Sequence, residues 1–226
     1  MQVASDVAPK LRRDAQRNRQ LLIEAATEVL SEHGLDAPLD EIARRAGVGN
    51  ATLYRRFPTR DDLYEAVFAK AGDDLREIGD RVLAIKDGWT ALTGYLDEVC
   101  TFMATDRGLC DLMTERMPRS PALNEIRIYA DNLVKTLLER AQRQGTARAD
   151  IGLPDLILVM CSLQRVIPAV DAVAPDAWRR HLALTLDALR PAAASPLPPP
   201  ALTYEQLVEL APNFAERPRS SAQQSN

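Results

Sequence analysis

Four apolar side chains recur at helical spacing shortly before a glycine in the first quarter of the chain. Leu39, Ile42, Ala43 and Ala46 occupy positions i, i+3, i+4 and i+7, and Gly47 follows them. This period predicts one face of a short α-helix that ends at the glycine, because a strand would repeat its apolar residues at every second position. The chain must therefore turn sharply after a helix at this point.

The glycines at this turn allow two interpretations. Gly47 and Gly49 have the spacing of the first two glycines of a dinucleotide-binding loop, but that loop needs a preceding strand and a third glycine where this chain has Thr52. The predicted helix upstream argues against it. Two short helices joined by a tight glycine-containing turn are typical of a helix-turn-helix, whose second helix enters the major groove of DNA.

The predicted second helix, opened by Gly49 or Asn50, carries a carboxamide, a hydroxyl, a phenol and guanidinium groups. Such groups supply the donors and planar surfaces with which proteins contact phosphates and base edges. An ordinary solvated helix face is the alternative. The candidate DNA contacts on this helix are Asn50, Ala51, Thr52, Tyr54, Arg55 and Arg56.

Charge is distributed unevenly along the chain. The net charge is -4, yet residues 1–60 hold ten Lys and Arg against eight Asp and Glu, while the remaining residues hold 18 against 24. A surface for a polyanion is therefore expected in the first quarter of the chain. Residues 1–13 are interpreted as a basic N-terminal arm containing Lys10, Arg12 and Arg13. A disordered basic tail that aids solubility is the alternative.

The rest of the chain predicts helices almost throughout, because helix-ending prolines and glycines punctuate it and period-2 alternation is hard to find. We expect an all-α protein of about nine helices. Helix ends are predicted at Pro38, Thr59, Gly88, Thr105, Gly108, Met117, Ser120, Gly145, Pro154, Pro168, Pro175 and Pro191.

The segment LDEIARRAGVGNATLYRRFPTRDDLYEAVF, residues 39–68, closely resembles the TetR family of transcriptional regulators. The shared elements are I-A-x-x-A-G-V, T-L-Y-x-x-F and a basic residue before an acidic helix start. The resemblance covers residues 14–70 and implies a three-helix helix-turn-helix DNA-binding domain there. It also implies a helical effector-binding and dimerisation domain over residues 71–190.

By this resemblance, Thr52 and Tyr54 are DNA contacts on the recognition helix, Arg56 and Arg60 are phosphate contacts, and Arg55 contacts a base or a phosphate. The family further implies a repressor that binds a double-stranded DNA operator as a homodimer. A small-molecule effector, which the sequence does not identify, would release it from the operator.

Three residues depart from the usual pattern of the family. Gly49 stands where a Ser commonly caps the recognition helix, Pro38 replaces a Thr that can contact phosphate, and Arg60 replaces a Lys while preserving its charge. The start of the recognition helix is therefore expected to be less firmly capped than usual.

The last two predicted helices carry the strongest apolar patterns and are candidates for a homodimer interface. Residues 156–160 are apolar throughout, which indicates burial on more than one side, and residues 176–190 carry one apolar stripe. Core helices of a monomer are the alternative. The candidate interface residues are Leu156, Val159, Met160, Leu163, Trp178, Leu182 and Leu186.

Aromatic and methionine side chains of the middle helices are candidates for lining an effector pocket, because they offer soft, adaptable walls. Plain core packing is the alternative for each of them. The candidate walls are Trp89, Phe102, Met103, Met113, Met117 and Tyr129, and Gln164 is a candidate polar contact.

The sequence gives little support for a disulfide-rich protein, a metalloprotein, an enzyme or a membrane protein. Three cysteines without CxxC spacing and two histidines suggest neither a disulfide framework nor a metal site, and no cofactor is expected. Without a G-x-S-x-G motif or a metal-ligand cluster, catalysis is not expected. The longest apolar run, residues 156–163, is too short to span a membrane, so a cytoplasmic protein is expected. An all-helical protein-interaction module is the alternative function.

The composition changes at residue 191, where the sequence PAAASPLPPP begins. Residues 191–226 are therefore predicted to form a proline-rich, flexible tail, with a short amphipathic turn around Tyr204, Leu207 and Val208.

Overall fold

The computed structural model of the chain describes residues 7–33, 37–106, 110, 120–193, 195–198 and 200–215. Within these ranges the chain is all-helical and contains no strand, as predicted. A short 3-10 turn covers Pro191–Ala193. The nine α-helices, α1 to α9 in chain order, are Val7–His33, Leu39–Arg45, Asn50–Arg56, Arg60–Ala84, Gly88–Thr105, Pro121–Arg143, Leu153–Asp171, Trp178–Ala188 and Tyr204–Ala215.

The described residues contain nine helices, the number predicted for the chain, but the two sets of helices differ at two places. The helix predicted between Gly108 and Met117 lies outside the described residues except for Cys110. The ninth helix, α9, instead lies in the segment for which a flexible tail is predicted. Residues 7–13 of the predicted basic arm belong to α1.

The chain folds as two compact units. The first contains the described residues up to Arg76 and those between Asp106 and Ile126; the second contains Glu77–Thr105 and the described residues from Arg127 onwards. Helices α4 and α6 each contribute residues to both units. The largest fully buried side chains of the first unit are Leu22, Leu30, Ile42, Leu53, Leu63, Tyr64, Phe68 and Leu123.

A Schellman motif makes the turn between α2 and α3. Gly47 has a φ of 67°, and its N–H donates to the Arg44 carbonyl at 3.1 Å. The Val48 N–H donates to the Ala43 carbonyl at 3.0 Å. Glycine is the one residue that adopts this left-handed conformation without a steric cost. The predicted glycine corner is therefore present, and α3 begins three residues after it.

Local capping fixes the starts of α2 and α4. Pro38 precedes α2 in an extended conformation, so the helix begins one residue later than predicted. At α4, the Asp62 N–H donates to Thr59 Oγ1 at 3.1 Å and the Thr59 N–H donates to Asp62 Oδ2 at 3.0 Å. This reciprocal arrangement is a capping box, which the sequence predicted from Thr59 and the acidic residues after it.

The core of the second unit forms where α7 packs against α5 and α8. Its buried cluster consists of Cys100, Leu163, Ile167, Trp178 and Leu182, each at most 3% exposed. The apolar stripes that the sequence shows in α7 and α8 thus face the interior of one subunit along much of their length.

Helix α5 begins where it touches the backbone of α6. A Cβ atom on Gly88 would lie 2.7 Å from the Ala141 nitrogen, and the Gly88 N–H donates to Gln144 Oε1 at 2.6 Å. Since the obstacle is backbone, no rotamer change can relieve it. Gly94, in the middle of the same helix, faces open space.

Helix α7 continues to Asp171, although Pro168 predicted an interruption. A proline removes one backbone hydrogen bond, and this one lies in the last turn, where little of the helix remains to be lost. By length and composition alone, α7 also satisfies the requirements for a membrane span. Core helices of soluble proteins satisfy the same requirements, and Leu156, Leu163 and Ile167 are buried here within the second unit.

The tail departs from the predicted flexible segment because it contains α9. The Gln206 N–H donates to Thr203 Oγ1 at 3.2 Å, and the Thr203 N–H donates to Gln206 Oε1 at 3.0 Å. This capping box starts a helix directly after the prolines, and Leu207 is buried against the second unit. The pattern T-x-x-Q at residues 203–206 was the sequence signal for it.

The opposite backbone conformations of Gly47 and Gly49 predict opposite effects of one substitution. A Cβ atom meets open space at both positions, but Gly49 is extended, with a φ of -74°, at the N-cap of α3. We expect Gly47→Ser to lower the free energy of unfolding by about 1–2 kcal/mol. Gly49→Ser should raise it by about 0.3 kcal/mol, because Ser caps a helix better than Gly. Urea denaturation measures both, and changes of the same sign would contradict the assignment.

A second matched pair lies within α5. Gly88→Ala should lower the free energy of unfolding by about 1–3 kcal/mol, because the new methyl group overlaps the Ala141 backbone. Gly94→Ala should raise it by up to about 1 kcal/mol, since alanine is the better helix former and the position is open. Denaturant unfolding of the two variants beside the parent chain checks this. Equal stability of the two variants would argue against the close approach of α5 and α6.

Candidate nucleic-acid interface

Helix α3 has one buried and one exposed side. Leu53 and Phe57, 1% and 3% exposed, hold the buried side in the first unit. Because a helix repeats every 3.6 residues, burying this pair turns the positions between them outward. The exposed side carries Asn50, Ala51, Tyr54 and Arg55.

Tyr54 and Arg55 are the long side chains of the exposed side. Tyr54 is 54% exposed although it is aromatic. Within the described parts of the chain, neither side chain has a hydrogen-bond or ion-pair partner. The phenol and the guanidinium group therefore keep their donors for an external acceptor, as a contact to phosphates or base edges requires.

Thr52 and Arg56 lie at the edge of the exposed side and are both partly buried. The Arg56 Nε is buried and has no hydrogen-bond partner among the described residues.

Arg60, at the start of α4, is engaged within the first unit. Its Nη1 donates to the Ala37 carbonyl at 2.8 Å and to the Tyr64 hydroxyl at 3.3 Å. The guanidinium group thus ties the segment before α2 to α4. Sequence reasoning placed a phosphate contact here and did not predict this internal role.

A cluster of ion pairs braces α2 against α1. Arg45 binds Glu32 through two hydrogen bonds of 2.7 and 2.9 Å, and it binds Glu41 at 3.0 Å. The hydrogen bond from Arg45 is the main cause that lowers the pKa of the Glu32 carboxyl group. Arg45 is therefore unavailable to DNA. The pair between Arg45 and Glu41 can be predicted from the sequence, because the two residues have i, i+4 spacing on one helix. The pair between Arg45 and Glu32 cannot, because these residues are 13 positions apart and only the packing of α2 against α1 brings them together.

The same cluster offers three groups that could hold a metal ion. One ligand atom from each of Glu32, His33 and Glu41 lies within 4.8 Å of the others. Arg45 already neutralises both carboxylates, so a cation would have to displace a guanidinium group. The contacts of Arg45 with Glu32 of α1 and Glu41 of α2 explain why these charged groups lie together.

Arg19 of α1 reaches the end of the recognition helix. Its guanidinium carbon lies 5.3 Å from the centre of the Phe57 ring, directly after α3. This cation–π contact places a positive charge at the C-terminal end of α3. Arg13 and Arg17, further towards the start of α1, are exposed.

Those residues predicted to line an effector pocket that the structure describes are spread along the second unit. Trp89 and Met103 are 14 positions apart on α5, about 21 Å along the helix axis. Arg190 lies over the Trp89 ring at 4.0 Å, and Met103 packs against the Cys100 cluster. Phe102, Tyr129 and Gln164 are partly buried. Met113 and Met117 lie outside the described residues.

Burial disfavours the ionised forms of two groups near these residues. Burial raises the pKa of the Cys100 thiol to about 12, with a smaller contribution from Asp97. Burial also raises the pKa of Tyr95, and the Asp131 and Tyr129 groups raise it further. A thiol with such a pKa is not a nucleophile at neutral pH, so Cys100 is a packing residue.

The residues predicted for a dimer interface divide into two groups. Leu156, Leu163, Trp178 and Leu182 are at most 3% exposed within a single subunit. These four side chains lie in the core of one subunit and are not part of its surface. The remaining three, Val159, Met160 and Leu186, are partly buried against the same core.

Other residues of α7 and α8 do face outward. On α7, Ser162, Val166 and Ala169 are exposed and share one side of the helix; on α8, His181 and Leu184 are exposed. Val166 and Leu184 are apolar and 36% and 62% exposed. The sequence identified both helices as apolar but not which side of each faces solvent, because both sides carry apolar residues.

Two family models match the chain. The model described as bacterial regulatory proteins, tetR family, matches residues 22–67, which include α2, α3 and the turn between them. The model described as transcriptional regulator SbtR-like, C-terminal domain, matches residues 87–191, from α5 to α8.

Relatives of known class match over most of the folded chain. SrpR, an HTH-type transcriptional regulator of Pseudomonas putida, is 32% identical over 125 residues, which cover 54% of this chain and 51% of SrpR. BetI, an HTH-type transcriptional regulator of Escherichia coli, is 30% identical over 161 residues, which cover 66% of this chain and 82% of BetI.

Solved structures show the same fold. A TetR transcription regulatory protein of Mycobacterium vanbaalenii is 31% identical with a TM-score of 0.58, covering 80% of this chain and 99% of its own. FadR of Bacillus subtilis, crystallised with stearoyl-CoA, has a TM-score of 0.60 and covers 78% of this chain and 99% of its own. At 16% identity, this similarity shows the fold alone.

The relatives are regulators rather than enzymes. The chain belongs to the TetR family and is a helix-turn-helix DNA-binding transcriptional regulator.

Proposed function

We propose that this regulator is a homodimeric, cytoplasmic repressor that a small-molecule effector releases from its operator. The observation that carries the proposal is the exposed side of α3. Leu53 and Phe57 anchor this helix, while Tyr54 and Arg55 point outward without partners in the described structure. A helix held in this way can enter a major groove without rearranging its own core.

The proposed DNA contacts divide by chemistry. Asn50, Tyr54 and Arg55 are assigned to base edges and phosphates, with Ala51 small enough to let α3 approach the groove closely. Thr52 and Arg56, at the edge of the helix, are assigned to the phosphate backbone. Arg56 would contact phosphate through its terminal Nη atoms, because its Nε is buried.

Arg60 is proposed to contribute to the interface as a fixed charge. Its Nη1 holds Ala37 and Tyr64, so the side chain is already positioned at the N-terminus of α4. A guanidinium group has five donors, so a phosphate contact and the internal contact are compatible. The functional domains proposed are residues 14–70 for DNA binding and residues 71–190 for effector binding and dimerisation.

The effector is proposed to bind in the second unit among Phe102, Tyr129, Gln164 and their neighbours. FadR, which shares the fold, was crystallised with an acyl-CoA, and this supports a small-molecule ligand for the helical domain. An effector that binds better to a dimer whose recognition helices are badly spaced for successive major grooves lowers DNA affinity by that difference.

Dimerisation is proposed through the outward sides of α7 and α8. A single recognition helix covers few base pairs, so a dimer on paired half-sites is needed for specificity. The buried residues Leu163 and Leu182 support this surface from beneath, and Val166 and Leu184 are its exposed apolar members.

Removing both long side chains of the exposed side tests the DNA assignment. Tyr54→Ala combined with Arg55→Ala should weaken operator binding at least about 100-fold, because each base contact contributes about 1–3 kcal/mol. The free energy of unfolding should change by less than about 0.5 kcal/mol, since both side chains are exposed. Fluorescence anisotropy with operator DNA and urea denaturation measure the two effects.

Arg143→Ala is the matched control, because this arginine is exposed on α6 in the second unit. It should leave operator affinity within about twofold of the parent. Undiminished binding by the Tyr54 and Arg55 double variant would favour the alternative function, an all-helical module that contacts protein rather than reading DNA.

Charges placed on the outward sides of α7 and α8 test the dimer. Val166→Glu combined with Leu184→Glu should convert the dimer to a monomer at micromolar concentration, because four carboxylates would meet in an apolar interface. Sedimentation velocity reports the mass. Ile128→Glu, a substitution at a 46% exposed position of α6, is the control and should leave the dimer intact. A double variant that remains dimeric would place the interface elsewhere.

A further inference from the structure

The chain continues beyond the match to the family model of the C-terminal domain. The match to the family model of the C-terminal domain ends at residue 191. The residues after it, 195–198 and 200–215, are called the strap here, and they belong to the second unit. Its helix, α9, packs against α7.

A buried arginine holds the beginning of the strap. Arg148 is 8% exposed, and its Nη2 donates to the Ser195 carbonyl at 2.7 Å. The same side chain binds both carboxylate oxygens of Asp150, at 2.6 and 2.9 Å, and its Nη1 donates to the Ala188 carbonyl at 3.3 Å. Arg148 therefore joins the end of α8 to the strap.

Tyr204 holds the first turn of α9. Its hydroxyl donates to Asp131 Oδ2 at 2.7 Å and accepts from Arg127 Nη1 at 3.0 Å. Arg127 also binds Asp131 directly at 3.2 Å. The hydrogen bond to Asp131 raises the pKa of Tyr204, as expected when a phenol donates to a carboxylate.

Asp131 lies next to the interior of the helical domain. Its side chain is only 16% exposed. Its charge adds to the effect of burial in raising the pKa of Tyr95 on α5 and of Cys161 on α7. Asp131 and Tyr129, a proposed effector contact, lie two positions apart on α6.

Polar contacts hold the start of α9. Among the side chains of α9 that the structure describes, those of residues 204–209, Leu207 is buried and the others are exposed. The capping box of Thr203 and Gln206 closes the first turn of α9 with contacts inside the strap itself. Because most of the described side chains are exposed, α9 is a candidate for opening locally at a lower free energy than global unfolding.

We propose that the strap is a gate on the effector site, closed by the hydrogen bond from Tyr204 to Asp131. An ionised carboxylate only accepts hydrogen bonds, so the group that opens the gate is a donor, such as a hydroxyl on an apolar body. The effector takes the place of Tyr204 on Asp131, and α9 leaves α7. The ligand class and the gate rest on the proposed effector function of the second unit.

Hydrogen exchange measured by mass spectrometry on the full chain tests the gate. In Tyr204→Phe, which keeps the ring, the amides of residues 204–215 should exchange at least about tenfold faster than in the parent chain, because a hydrogen bond to a charged group is lost. The amides of α5 should not change, and neither should the denaturation midpoint. Val208→Ala, at an exposed position of α9, is the control and should match the parent.

A strap that is merely a fixed part of the core gives a different result. The amides of α9 and α7 would then exchange at the same rate in the parent chain, and Tyr204→Phe would lower the denaturation midpoint of the whole protein. That outcome would overturn the gate.

Two probes that differ in one donor test the ligand class. 1-Decanol should accelerate exchange of residues 204–215 in the parent chain, whereas its methyl ether, which cannot donate a hydrogen bond, should not. Equal effects of the two, or no effect of 1-decanol near saturation, would contradict competition for Asp131. The affinity for operator DNA is measured in parallel without any probe. A chain that does not bind operator DNA would contradict the repressor function, and the hydrogen-exchange result would still decide whether the strap is a gate.

Discussion

The left-handed backbone of Gly47 is the constraint on which the DNA-binding side of the protein depends. The Schellman motif at this residue ends α2 and sets the direction in which α3 departs. That direction puts Leu53 and Phe57 into the core and therefore turns Tyr54 and Arg55 outward. The chemistry of recognition thus follows from a conformational requirement that glycine meets without strain.

The arginines show how one residue type serves two purposes. Arg45 and Arg148 are engaged in contacts within the fold. Arg45 forms a bidentate pair with Glu32 and braces α2 against α1. Arg148 forms a bidentate pair with Asp150 and ties the strap to the second unit. Arg55 has no such partner in the described chain. A basic residue near a recognition helix is therefore a candidate for DNA contact only after its internal partners are known.

Turns and helix caps that depend on neighbouring residues could be predicted from the sequence. Burial and contacts that depend on the packing of distant segments could not. The glycine corner and the cap at Thr59 follow from residues within a few positions, so the sequence revealed them. Leu163 and Trp178, which were predicted for the dimer interface, lie in the core of one subunit. An apolar stripe in the sequence does not distinguish a helix face that packs within the subunit from one that packs against a second subunit. The docking of Tyr204 on Asp131 joins residues 73 positions apart, which no local pattern encodes.

The central claim, that the exposed side of α3 reads operator DNA, is tested most directly by fluorescence anisotropy of the purified protein at several salt concentrations. The DNA is a fragment from upstream of the protein's own coding sequence, with a scrambled fragment of equal length for comparison. The account predicts tighter binding to the upstream fragment, with log affinity falling against log salt by about 0.9 per phosphate neutralised. Equal, weak binding to both fragments, and to every fragment from a genome-wide selection, would contradict it.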